Sequence, residues 1–173
     1  MNKNIIIKEN NGILDIIFNR PERKNAINRD MFETLLSILK ESQMNSKIKA
    51  IFLSGKGNAF SAGGDVKDMS QNTDTSTLQE KTLSLRRIMD VSKLLYESSI
   101  PTIAIIDGPA AGAGFALSLA CDIRIASENA KFTTAFSKVG FSGDFGGSFF
   151  LTNIVGTAKA RELFYFSDVI DAN

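Results

Sequence analysis

The stretch Ile100–Cys121, "IPTIAIIDGPAAGAGFALSLAC", constrains the fold more than any other part of this chain. Its summed length and apolarity raise the question of a membrane span, but Asp107-Gly108-Pro109 breaks it midway, and neither half alone is long enough to cross a bilayer. The first half, "IPTIAIID", is the continuous apolar run expected of a strand covered on both faces. The second, "GPAAGAGFALSLA", is a glycine-rich turn leading into a helix of small residues. A doubly covered strand followed directly by a helix needs layers on both sides of a sheet, so the chain reads as α/β.

The other segments alternate in the same way. "NIIIKENNGILDIIF" places Asn-Asn-Gly between two apolar runs and predicts a β-hairpin. After the polar loop "NRPERKNAIN", a helix is expected from near Asp30, with Glu33 completing a capping box and Met31, Leu35, Ile38 and Leu39 facing the core. "AIFLSG" is a short buried strand ended by the turn Gly55-Lys56-Gly57-Asn58. The polar run "SQNTDTST" is expected to be a mobile loop. A longer helix follows over roughly Leu78 to Glu97, with Leu85, Ile88, Met89 and Leu95 inward. "DIRIAS" is another strand, "GGSFFLTNIV" a helix, and a last helix starts at Thr157. No internal repeat or interdomain linker interrupts the pattern, and residues 1–173 suit a single core domain. The final "FSDVIDAN" stops in what reads as a connection, so the domain is expected to be incomplete at its C-terminus.

Composition narrows the chemistry. Twenty Lys and Arg against 19 Asp and Glu leave a net charge of +1, which gives no electrostatic case for nucleic acid or an anionic membrane as partner. "MNKNIIIKENNG" is too short in its apolar run for a secretory signal, and a cytoplasmic location is expected. The single cysteine, Cys121, excludes an intrachain disulfide, and its apolar helix marks it as a packing residue. The chain has no histidine, so a Ser–His or Cys–His nucleophile and a histidine-ligated zinc are both impossible within it, and no metal is expected. Acid–base work must come from carboxylates, lysines or tyrosines.

Three glycine-rich segments carry the functional signal. "AFSAGGD" and "GPAAGAG" each lie between a strand and a helix, where unpaired N–H groups are presented. Neither is a Walker motif, and "GAGFAL" lacks the last glycine of a dinucleotide fingerprint. The two turns either serve close helix–strand packing or aim two N–H donors at one oxygen, the arrangement of an oxyanion hole. The third, "GFSGDFGG" at Gly140–Gly147, sets Asp144 among glycines and phenylalanines. Asp144 is either a turn and capping residue or a carboxyl whose apolar setting, from Phe136, Phe141 and Phe145, raises its pKa. Asp65 is expected to cap a short helix, Asp107 and Asp122 to fix loops, and Arg86, Arg87 and Lys93 to form a solvated face.

In order along the chain, "NRPERKNAIN", "AFSAGGDVKDM", "IPTIAIIDGPAAGAGFALSLACDIRIAS" and "AKFTTAFSKVGFSGDFGGSFFLTNIVG" resemble the enoyl-CoA hydratase/isomerase (crotonase) family. The resemblance runs from about Ile13 to Asn173. It implies a spiral of repeated β–β–α units whose C-terminal helices are missing here, and an acyl-CoA small molecule as ligand. It also implies an enolate held by the backbone N–H groups of Gly64 and Ala113, with Lys24, Ala26, Ala62, Asp65 and Val66 lining the CoA site. No cofactor is implied beyond the coenzyme A of the thioester itself. A homotrimer or a hexamer is the implied assembly.

The family's hydratases carry two glutamates, at the positions of Ala116 and Phe136 here. Without them ordinary hydration is disfavoured, since activating water and handling the C2 proton ask for two groups. The "GFSGDFGG" region is similar to the phenylacetate-pathway isomerase branch, which implies Asp144 as the proton-moving acid. Chlorobenzoyl-CoA dehalogenases use the same region, but with a histidine that this chain lacks. The expected activity is enoyl-CoA double-bond isomerisation. An atypical hydratase, another crotonase-type lyase and a non-catalytic acyl-CoA-binding or assembly protein are the alternatives.

Overall fold

The structure is a computed structural model and describes residues 3–71 and 75–173. The hairpin forms as predicted: β1 (Ile5–Asn10) pairs antiparallel with β2 (Ile13–Phe18), Asn10 opposite Ile13. The two-residue turn needs positive φ at both positions, which Asn11 (50°) and Gly12 (81°) supply. β3 (Ala50–Gly55) and β4 (Thr102–Ile106) add in parallel, followed by β6 (Ile123–Ala126), giving a five-stranded sheet in the order β1-β2-β3-β4-β6. A smaller sheet holds β5 (Pro109–Ala111), β7 (Lys131–Thr133) and β8 (Ile170–Asp171), in the order β5-β7-β8. The last residues therefore pair as a short strand, where sequence predicted only a connection.

The two sheets are built together by a repeated move. The chain lays one strand in the large sheet, crosses to the small one, and then turns into helix. β4, β5 and α4 (Gly112–Ala120) make one such unit. β3, an extended bridge at Ser61 and α2 (Val66–Gln71) make the unit before it. β6 and β7, followed by α5 (Gly147–Val155), make the one after. Ser61 bridges Ala110, and Ala110 pairs with Phe132, so three successive turns of the spiral lie side by side.

Helices cover the large sheet. α1 (Arg29–Met44) packs on α3 (Leu78–Tyr96), and α4 packs on α3 and α5. The α1 cap differs from expectation: Asn28 accepts the Met31 N–H at 3.1 Å, and Glu33 points instead to Arg87 at 2.8 Å. An asparagine at that position satisfies an orphan donor directly, so no capping box is needed. α3 carries a capping box, between Thr77 and Glu80. Met31, Leu35 and Leu39 are buried with Ile16, Phe18 and Leu53, and Phe60 meets Phe18 edge-on at 5.7 Å. Each such side chain contributes roughly 1.5–3 kcal/mol by leaving water. Ile88 and Leu95 face the core as expected and Met89 packs against it, whereas Leu85 is 41% exposed beside a cavity. α6 (Thr157–Phe166) starts at Thr157 as predicted. Residues 72–74, within the segment expected to be a mobile loop, lie outside the described residues; α2 takes up that segment's first residues. Among the described residues, no helix is long and apolar enough to cross a membrane.

Candidate active site

The spiral brings the two glycine turns together. Ser61 and Ala110 occupy the same place in successive turns, so the residues that follow them, Gly63-Gly64 and Gly112-Ala113, face each other about one strand spacing apart. The contact is close enough to exclude any side chain at Gly63: a Cβ there would lie 2.8 Å from the Ala111 carbonyl oxygen and 3.3 Å from the Ala113 nitrogen, and its φ is +90°. Gly114 meets Ser61 just as tightly, a Cβ there falling 2.6 Å from Ser61 Cβ.

Both candidate donors are free for a ligand. Ile27 bridges Gly64 in parallel, through Ile27 N–H to Gly63 O (2.8 Å) and Asp65 N–H to Ile27 O (3.0 Å). Those bonds use the peptides on either side and leave the Gly64 N–H directed away from Ile27. Ala113 sits in the first turn of α4, where N–H groups have no intrahelical acceptor. Among the described residues, neither N–H is hydrogen-bonded to a backbone acceptor.

The loop before α1 forms the next wall. A 3-10 turn at Pro21–Arg23 is followed by Lys24 and Asn25, both at positive φ. Asn25 is fully buried and ties the loop down: its Oδ1 accepts the Arg20 N–H (2.9 Å), and its Nδ2 donates to Lys56 O (3.0 Å) and Ala59 O (2.7 Å). A cavity of about 480 Å³ opens between this loop and the first glycine turn. Lys24, Ala26, Asp65 and Val66 line it together with Gly64, so four of the five predicted binding residues share one cavity with one predicted donor. Ala62 does not line it; its N–H donates to Lys24 O at 2.8 Å. Arg23, Lys24 and Lys67 line the cavity beside the acids Glu22 and Asp65, and Arg23 lies 3.6 Å from Asp65.

Asp65 caps α2 as predicted, accepting the Asp68 N–H at 3.2 Å. Its other oxygen lies 2.9 Å from Arg20 Nη2 and 3.6 Å from Arg23 Nη1. Burial alone raises its pKa, but the Asp68 N–H and the two guanidinium groups outweigh burial and hold it below the ordinary 3.8. A larger cavity, about 770 Å³, lies on the other side of Asp65, between the start of α1, α2 and α3. Phe32 on its wall stacks on Phe145 at 4.4 Å, next in sequence to Asp144.

Asp144 is not a capping residue. Gly146 takes the N-cap place of α5 without a side-chain bond, and only the Asp144 backbone oxygen serves the turn, accepting the Gly147 N–H at 3.0 Å. Asp144 Oδ1 is buried with no hydrogen-bond partner among the described residues. Burial pushes the carboxyl up to about 6. The loop lies on the rings of Phe136 and Phe164, 3.5 and 3.4 Å from a Cβ at Gly143, and α5 begins against α4, where a Cβ at Gly147 would lie 3.3 Å from Ala116 Cβ. Phe136 and Phe145 are buried as the apolar setting requires, but Phe141 is 53% exposed and takes no part in it. Neither cavity is lined by Asp144 or Ala113.

Asp122 accepts the Thr102 N–H and hydroxyl at 2.7 and 2.8 Å, and Asp107 accepts the Ser127 hydroxyl at 2.6 Å, so both fix loops. Cys121 is buried and its thiol is pushed up to about 12, as an inert packing residue requires. Sequence reasoning passed over Arg20, Asn25 and Ser61. The signal available for Arg20 was a charged residue next to proline in a loop otherwise assigned to ligand binding.

The enoyl-CoA hydratase/isomerase family model matches residues 8–173, and the chain belongs to that family. It is 36% identical over 163 residues to 1,2-epoxyphenylacetyl-CoA isomerase of Escherichia coli (strain K12), covering 93% of this chain and 62% of that protein. It is 34% identical to a probable enoyl-CoA hydratase of Rhodobacter capsulatus, covering 93% of this chain and 60% of the relative. The crystal structure of a putative enoyl-CoA hydratase from Thermobifida fusca in complex with CoA superposes with a TM-score of 0.91 at 28% identity, over 98% of this chain and 67% of that one. The crotonase spiral is thus the fold, and the chain spans about three-fifths of the length of such curated relatives.

Proposed function

We propose that this chain binds an enoyl thioester of coenzyme A and moves its double bond, with Asp144 as the proton carrier. The Gly64 and Ala113 N–H groups receive the thioester oxygen. The Asp144 carboxylate takes a proton from C2 of a 3-enoyl thioester. The electron pair left behind delocalises onto the oxygen held by the two donors, giving a dienolate. The same carboxyl returns the proton to C4, and the double bond moves from C3 to C2. Proton and electrons balance within the substrate, so coenzyme A is part of the ligand and no separate cofactor or metal is required.

The observation that carries this reading is Asp144 Oδ1, a buried carboxylate oxygen without a partner, in a carboxyl pushed up to about 6. A base with that pKa is largely ionised at neutral pH and still accepts a proton readily. Ala116 and Phe136, at the hydratase glutamate positions, supply no second acid to activate water. Three cations against the two acids Glu22 and Asp65 line the loop cavity, and Lys24 and Lys67 are offered to the phosphates of coenzyme A. The test is incubation with a 3-enoyl-CoA and with a 2-enoyl-CoA in water. The proposal expects conjugation of the first and little hydration of the second; the reverse pattern overturns it.

A second reading has one observation in its favour: neither cavity reaches Asp144 or Ala113. A protein that binds acyl-CoA without turning it over needs only the loop cavity. Binding of coenzyme A with no conversion of either thioester selects that reading.

A further inference from the structure

One side chain, Arg20, reaches both sides of the loop cavity. Arg20 is only 12% exposed, and its guanidinium makes two contacts that diverge. Nη1 donates to Ala26 O at 2.7 Å, gripping the Lys24–Ala26 loop from within. Nη2 lies 2.9 Å from Asp65 Oδ2, on a carboxylate that is 5% exposed and directly follows Gly64 in sequence. Between these contacts lies the Ile27–Gly64 bridge, with its bonds Ile27 N–H to Gly63 O and Asp65 N–H to Ile27 O. Gly63 O and the Gly64 N–H belong to the same planar peptide unit and point in opposite directions across it. Whatever holds Gly63 O therefore sets the direction of the Gly64 N–H. A second thread runs alongside: Ser61 Oγ donates to Asn25 O at 2.8 Å and accepts the Gly63 N–H at 3.1 Å. The loop and the donor turn are thus tied at several points, and the guanidinium of Arg20 reaches both.

We infer that Arg20 is a positioning residue: by joining Ala26 to Asp65 it fixes the Gly63–Gly64 peptide on Ile27, and so couples occupancy of the Lys24–Ala26 loop to the orientation of the Gly64 N–H. The coupling rests on the coenzyme A binding half of the proposed function, and its consequence for turnover on the catalytic half. Its consequence for the reaction is that contacts made by the coenzyme A end of the ligand are felt at the thioester oxygen, where they act on turnover as well as on binding. Lysine cannot replace the fork, because one ammonium does not span two divergent acceptors as the planar guanidinium does.

The experiment compares the native chain with Arg20→Gln and Arg20→Lys, by NMR-detected amide exchange with and without coenzyme A. The Ile27 and Asp65 amides report the bridge, and the Leu39 amide, in the buried face of α1, reports general opening. The inference expects coenzyme A to slow exchange at Ile27 and Asp65 at least threefold in the native chain. It expects Arg20→Gln to quicken both by about tenfold with Leu39 unchanged, and to abolish the response to coenzyme A. Arg20→Lys is expected to keep its fold and restore protection only in part. Unaltered bridge amides in the variants, or acceleration of Leu39 by the same factor, overturns the inference, since the first removes Arg20 as the link and the second leaves a general structural role. Turnover of a 3-enoyl-CoA adds a readout that a merely structural role does not move: kcat should fall about tenfold in Arg20→Gln while KM changes less, a fraction of the ~100–1,000-fold cost of losing a donor outright. A native chain that converts no thioester defeats the catalytic half alone, and the exchange data still decide the coupling.

Discussion

Replacing Asp144 by asparagine removes a carboxyl that folding pushes from an ordinary 3.8 up to about 6. The direction fixes the sign. A group whose folded pKa is raised favours the native state while it is protonated, and that contribution is lost as pH rises from the unfolded value through the folded one. Between pH 4 and 6 the unfolded chain therefore releases a proton that the folded chain keeps, and native stability declines. Above pH 7 both states are ionised and the penalty is constant. A difference of about two pH units corresponds to about 3 kcal/mol at pH 8. Asparagine keeps the shape without the charge, so Asp144→Asn should gain up to about 3 kcal/mol over the native chain at pH 8 and close to nothing at pH 4. In a chain of this size the gain corresponds to roughly 6–12 °C in Tm. Urea unfolding of both proteins at several pH values measures the difference, and comparing two chains cancels every other titrating group. A difference that does not change between pH 4 and 8, or a less stable variant at pH 8, refutes the reasoning. The same experiment gives the cost at which the fold keeps the buried Asp144 Oδ1 without a partner.

The other predictions follow from the same geometry. Because a base must be ionised, kcat/KM for double-bond migration should rise as pH passes about 6 and then level off; a flat profile from pH 5 to 8 removes Asp144 as the base. Gly114→Ala drives a Cβ to 2.6 Å from Ser61 Cβ and 2.9 Å from its carbonyl oxygen, and should cost about 1–3 kcal/mol in urea unfolding, with native-like stability as the contrary result. Asp122→Ala leaves the buried Thr102 N–H and hydroxyl without their shared acceptor and should cost a similar ~1–3 kcal/mol, while coenzyme A affinity by calorimetry stays unchanged.

The elements most legible in the sequence were those with a local cause. Asn11-Gly12 specifies its hairpin, and the broken run at Asp107-Gly108-Pro109 separates a buried strand from a helix. The glycine turns were legible as turns, because a strand-to-helix corner with no side chain has few other uses. Their adjacency stayed open between packing and a pair of donors until the resemblance implied it, since it depends on Ser61 and Ala110 falling in register across a crossover. The start of α1 was legible to within a residue, but its cap was not, because Asn28 and Asp30 are both good caps and only the packed loop chooses between them. Leu85 matched the helical period but lies beside a cavity, where periodicity cannot distinguish core from cleft. Phe141 was grouped with Phe136 and Phe145 on composition alone; the 3-10 turn at Ser137–Val139 redirects the chain and leaves it exposed. Arg20 escaped notice because its meaning lies in two acceptors, Ala26 O and Asp65, that only the folded loop brings within reach.

The most direct test of the proposed role of Asp144 is deuterium incorporation from D2O into a 3-enoyl-CoA, followed by mass spectrometry for the native chain and for Asp144→Asn. The account predicts exchange with migration of the double bond in the native chain and its loss in the variant. Equal exchange in both proteins would contradict it, leaving the two N–H donors in place and moving the base elsewhere.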